Sequence, residues 1–157
     1  MPRIIALLTL SIGLLHGAVS SAQEAPAAPA ETGGAACVMA KWQGNTLDYV
    51  LVYGKSHPAI AQEEGEKILK ERGYDNYKAN VSILHHQANT NLPHAYVIVV
   101  KTSYKTRRGK DRTSYGCGFS HAHFNHALVM ALWDLKAFSW GWDEEKHGYE
   151  VIEQLRY

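Results

Sequence analysis

The chain has 157 residues, of which 46% are hydrophobic, and its 16 Lys+Arg nearly balance its 15 Asp+Glu for a formal net charge of +1 at pH 7. That balance gives no bulk charge with which to hold nucleic acid, and no nucleic-acid partner is expected. The length suits a single domain large enough to bury a core of its own.

Met1-Pro2-Arg3 supplies one positive charge, Ile4 to Leu15 is an uncharged apolar run, and His16 to Ala22 turns small and polar. Basic start, short apolar core and small-residue exit form the pattern of a secretory signal peptide over residues 1–22, with cleavage near Ala22. The run is shorter than the roughly 20 apolar residues that a membrane-spanning helix needs. No later stretch is apolar enough to span, so no transmembrane segment is expected in the mature chain, which should work in the periplasm or outside the cell.

Residues 23–36 read QEAPAAPAETGGAA. Pro, Ala and Gly without aromatic or branched apolar side chains cannot form a core, and this segment is expected to be a flexible tether. Gly34-Ala35-Ala36-Cys37 loosely resembles a lipoprotein cleavage box, although a spacer separates it from the apolar run. The folded domain is expected over residues 37–157.

Within it, Leu47 to Tyr53 reads as a strand, and Gly54-Lys55-Ser56-His57-Pro58 leads into a helix over Ala59 to Arg72. Ser56 or His57 can cap that helix, Pro58 suits its first turn, and Gly73 stops it. Asn80 to His86 and Ala95 to Tyr104 read as strands joined by a turn-rich segment. Val97 to Val100 is apolar on both faces, which places its strand at the centre of a sheet. Thr106 to Arg112 is a polar hairpin tip, and Thr113 to Phe119 returns as a strand. A second helix is expected from His121 to Phe138 behind a Ser120 cap, with Phe124, Ala127, Leu128, Ala131, Leu132 and Leu135 on one stripe. Tyr149 to Leu155 reads as a final strand.

The resulting order is β-α-β-β-β-α-β, an α+β fold with an antiparallel sheet and two helices on one face. An internal echo suggests a duplicated plan: Tyr53-Gly54-Lys55-Ser56-His57 precedes the first helix and Cys117-Gly118-Phe119-Ser120-His121 the second. Strand, Gly, Ser and helix repeated around a central strand pair resembles a small family of secreted bacterial domains of unknown function, of the DUF4189-like kind. The match covers mainly Tyr53 to Leu69 and Tyr115 to Leu132, and the extra cysteines of those domains at their helix ends are missing here. The resemblance is one of topology and implies no activity.

Two cysteines in an exported chain are expected to pair, Cys37 with Cys117. The densest chemical cluster follows, with His121, His123 and His126 around the start of the second helix. Imidazole is a common ligand of zinc and copper, and His123 and His126 share a helical face, so these three are the candidate metal ligands, with His85, His86 and His94 as further donors. The bland alternative is a set of solvated or core histidines, with no cofactor. Cys117 and His121 would read as nucleophile and base only if the thiol were free. Asp143-Glu144-Glu145 reads as a solvated turn.

Two surfaces are candidates for binding. Lys105, Arg107, Arg108, Lys110 and Arg112 make a basic tip suited to an anionic polymer or a lipid headgroup, and Trp140 and Trp142 would share a face if extended. No catalytic signature is present, and no catalytic residue is assigned. The sequence therefore points to a small exported non-enzymatic binding protein with an envelope or extracellular partner. A histidine-based metal-binding protein is the alternative, and a small secreted hydrolase ranks last.

Overall fold

The structure, a computed structural model, describes residues 33–74, 82–85 and 90–157, with only the backbone described for residues 82–85. The expected signal peptide, most of the expected tether, and His86 lie outside the described residues, as does the side chain of His85.

Strand β1 (Gly34–Lys41) pairs antiparallel with β2 (Thr46–Lys55) across the turn Trp42–Asn45. Helix α1 (Pro58–Leu69) follows and ends in a π turn over Lys70–Tyr74, where Gly73 takes a φ of 89°. Strand β3 (Ser82–His85) then returns to pair with the other edge of β1. The second half repeats this plan. Strand β4 (Tyr96–Lys105) pairs with β5 (Asp111–Ser120), helix α2 (Phe124–Phe138) follows, and β6 (Glu150–Arg156) pairs with the other edge of β4. Among the described residues the π turn after α1 and the one-turn helix α3 (Glu144–His147) after α2 differ between the halves. Each half is thus ββαβ, and the strand orders, β2-β1-β3 and β5-β4-β6, are equivalent.

Side-chain alternation along the two central strands explains how the halves join. Ala36, Val38 and Ala40 of β1 pack with Ala61 and Leu69 of α1, whereas Cys37 and Met39 face the other way onto Val99 of β4 and Cys117 of β5. Ile98 and Val100 of β4 pack with Ala127, Ala131 and Leu135 of α2. The layers run helix, sheet, sheet, helix. Both central strands are buried on two faces, which is why Val97 to Val100 has no polar alternation.

The α+β class and the antiparallel pairing are as expected. The strands divide into two sheets, however, and each helix covers the outer face of its own sheet. The first strand lies partly inside the segment expected to be a tether. Its first residue must be small: a Cβ on Gly34 would collide with the backbone of His57 and Pro58. Gly116 and Gly118 of β5 play a similar part beneath α2, where a Cβ would run into the backbone of Ala127 and Ala131. Absence of side chains here reflects close approach of backbones rather than a flexible segment.

Cys37 and Cys117 form a disulfide between the two sheets, with Cα atoms 6.5 Å apart. This pairing leaves no thiol on Cys37 for lipidation and none on Cys117 to act as a nucleophile beside His121. Among the described residues no helix is long and apolar enough to cross a membrane.

Candidate functional site

One end of the sandwich gathers four connections: the β1–β2 turn, the β4–β5 hairpin tip, the segment from α2 to α3, and α3 itself. The hairpin tip is closed by Thr106, whose amide donates to the Lys110 carbonyl at 2.9 Å and whose hydroxyl accepts from the Lys110 amide at 3.1 Å. Gly109 supplies the φ of 74° that this turn requires. Arg107, Arg108 and Lys110 are held out on this tip.

The β1–β2 turn contributes Trp42, whose ring carries the Arg112 guanidinium at 4.9 Å from its centroid. The turn is tied to β5 by Asn45 Nδ2 donating to the Thr113 carbonyl at 2.8 Å. It is tied to the segment after α2 by the Trp140 amide donating to the Gly44 carbonyl at 2.8 Å. The Trp140 ring lies against Gly44, where any Cβ would collide with it, and Gly44 also has a φ of 68°. Trp140 remains 70% exposed.

Trp142 is only 9% exposed and donates from Nε1 to the Gly148 carbonyl at 3.0 Å. The two tryptophans therefore do not form one aromatic face. The chain bends at Gly141, φ 93°, so that Trp142 turns into the α2 core while Trp140 stays on the surface. Asp143, Glu144 and Glu145 are not a plain turn either. Asp143 caps α3 by accepting from the Lys146 amide at 3.1 Å, an interaction that holds its carboxyl below the usual carboxylate range.

A cleft of about 530 Å³ opens beside the tip, lined by Ser103, Tyr104, Lys105, Asp111, Arg112, Thr113, Lys146 and His147. Lys105 pairs with Asp111 at 3.5 Å and Lys146 with Asp143 at 3.6 Å, both in water, where such pairs are weak and exchangeable. His147 accepts from the Asp143 amide through Nδ1 at 2.9 Å and lies 5.5 Å from the Tyr104 ring. The cleft thus presents Lys105, Arg112 and Lys146, with Asp111 in its lining and Asp143 paired to Lys146, beside a basic tip and the exposed Trp140. The basic tip and Arg112 leave an excess of positive charge here despite Asp111 and the acidic start of α3, and Trp and Arg together offer stacking as well as charge.

The histidines take other roles. His57 and His123 are the N-caps of α1 and α2, with Nδ1 accepting from the Ala59 amide and the His126 amide, each at 3.1 Å. Ser120, expected as the cap, closes the preceding turn instead, accepting from the Ala122 amide at 3.0 Å. Its hydroxyl shares a hydrogen bond with His126 Nδ1 at 3.0 Å. The His123 and His126 rings are 6.3 Å apart between centroids. Among the described residues no three His, Cys, Asp or Glu side chains gather as a metal site. His121 and His126 instead line a second cleft, of about 160 Å³, with Thr90, Leu92, Cys117, Gly118, Phe119, Ser120 and Met130.

Trp42, Tyr104, Lys146 and His147 were not legible as site residues. Trp42 follows the strand hidden by small residues, and the Gly44-Asn45 pair between two apolar runs was the signal for a hairpin there. The chain matches no family model, no curated protein and no solved structure.

Proposed function

We propose that this is an exported, non-enzymatic binding protein acting in the periplasm or outside the cell, and that its ligand is an anionic polymer held at the cationic end of the sandwich. One observation carries the reading: Arg112 stacked on Trp42 lines the same cleft as Lys105, Lys146 and His147, beside the Arg107–Lys110 tip. A polymer suits this surface better than a compact anion. The cations are spread over a cleft and a projecting hairpin, where Arg107, Arg108 and Lys110 are exposed. Trp140 adds an apolar plane for a sugar ring or other flat group.

Dextran sulfate and neutral dextran separate charge from backbone as probes. The protein should bind dextran sulfate, lose affinity as salt rises, and ignore neutral dextran. Arg107→Glu/Arg108→Glu should weaken binding by about tenfold or more, because two attractions become two repulsions. Equal binding of both dextrans, or an unchanged double variant, contradicts the proposal. Binding to vesicles rich in anionic phospholipid without binding to dextran sulfate would assign the surface to a membrane instead.

A further inference from the structure

We propose that His121, His126 and Met130 form a copper(I) site in the cleft at the start of α2. All three line that one cleft, away from the cationic end. His126 and Met130 stand four residues apart on α2, so they are neighbours on one helical face. His121 comes from the turn that enters the helix.

The donor chemistry selects the ion. Two imidazoles and a thioether are neutral, and no carboxylate lines the cleft. Thioether sulfur favours copper(I) among the available metals, and imidazole accepts it well. Calcium and magnesium require oxygen ligands, and zinc usually completes four positions with thiolate, imidazole or carboxylate. A singly charged ion also leaves less uncompensated charge among neutral ligands than a doubly charged one. Leu92 and Phe119 give the cleft an apolar flank that limits water.

The hydrogen bond between Ser120 and His126 fixes the plane of the His126 ring. A ligating imidazole commonly donates its other ring N–H to a fixed acceptor, which sets the tautomer and the ring plane. His126 Nδ1 is 3.0 Å from Ser120 Oγ, and Ser120 is buried and held by the Ala122 amide. Ser120 Oγ also accepts from the Ala122 amide at 3.0 Å and the His123 amide at 3.4 Å, so copper binding selects the His126 tautomer in which Nδ1–H donates to Ser120 and Nε2 carries the free lone pair. His123, the other half of the His123/His126 pair suggested by the sequence, caps the helix and does not line the cleft.

The test is anaerobic titration of the untagged protein with copper(I), in competition with a chromophoric chelator. Ascorbate serves as the reductant so that the disulfide stays intact. One copper(I) should bind per chain. Met130→Leu, which conserves volume, and His126→Ala should each lower affinity by about tenfold or more, and Ser120→Ala by about 10–100-fold. His123→Asn keeps a capping residue and should leave affinity unchanged. X-ray absorption of the loaded protein should show a sulfur neighbour that Met130→Leu removes. Wild-type affinity in Met130→Leu, loss of affinity in His123→Asn, or absence of copper(I) binding would each overturn the site. Dextran sulfate binding by Met130→Leu, measured alongside, reports separately on the cationic end.

Discussion

Lys41 Nζ lies 4.0 Å from Asp134 Oδ1, with both side chains buried, and the pair joins the last residue of β1 in the first half to α2 in the second. At that distance the two make an ion pair but not a hydrogen bond. Lys41 also sits 3.2 Å from the Phe138 ring centroid, and Asp134 Oδ2 accepts from the Cys117 amide at 3.0 Å. Burial dominates both groups. It lowers Lys41 to about 8 against the pull of Asp134, and raises Asp134 to about 6 against the pull of Lys41 and of the Cys117 amide.

The sign of the pH effect follows. Asp134 has a folded pKa above its ordinary value of 3.8, so its contribution to stability grows as pH falls from about 6 towards 4. Lys41 has a folded pKa below 10.5, so its contribution grows as pH rises above about 8. Between those limits the charged pair is least favourable. Urea unfolding of the wild type and Asp134→Asn at pH 7 and pH 4.5 checks this. The stability of the wild type relative to the variant should increase on going to pH 4.5. A decrease would mean that the carboxylate is stabilised in the fold.

Close approach of α2 to β5 depends on Gly118. An added Cβ would lie 2.5 Å from the Ala131 amide nitrogen, and backbone cannot move aside as a side-chain tip can. Gly118→Ala should destabilise by about 1–3 kcal/mol, as overpacking does, and Gly116→Ala should behave alike. Calorimetric melting of both variants measures it. Unchanged melting would mean that the helix does not rest on the strand.

The Cys37–Cys117 disulfide closes a loop with a sequence separation of 80. Loss of that constraint should cost about 4–5 kcal/mol in chain-entropy terms. Intact mass without reductant should be two hydrogens below the dithiol value, and unfolding after reduction should shift to lower urea. Labelling of both thiols in the native protein would contradict the pairing.

Much of the fold was legible because it rests on periodicity. Continuous apolar Val97 to Val100 marked a central strand, and the stripe from Phe124 to Leu135 packs on that strand as read, with Ala127, Ala131 and Leu135 fully buried. The halves do repeat a ββαβ plan, but the Gly-Ser-His echo does not mark equivalent positions, since His57 caps α1 whereas His123, not His121, caps α2. Strand β1 was hidden because it opens Gly34-Ala35-Ala36, where Gly34 meets the backbone of His57 and Pro58, and small residues also spell a linker. Division into two sheets was hidden with it, since a missing central strand leaves β2 and β3 without a partner. At the site, the basic tip was visible as a charge run. Trp42 beneath Arg112 and the separation of Trp140 from Trp142 depend on turns at Gly44 and Gly141, which sequence spacing does not encode.

The central claim is that anionic polymer binds at the hairpin end. The most direct measurement is an amide and indole N–H titration by NMR with a dextran sulfate oligosaccharide at moderate salt. The account predicts shifts at the indoles of Trp42 and Trp140 and at amides of Lys105 to Arg112 and Lys146 to His147. The indoles of Trp142, which is buried, and Trp133, which is exposed on the outer face of α2, should not move. Shifts centred on Trp133 or on the opposite end, or no shifts at any ratio, would contradict it.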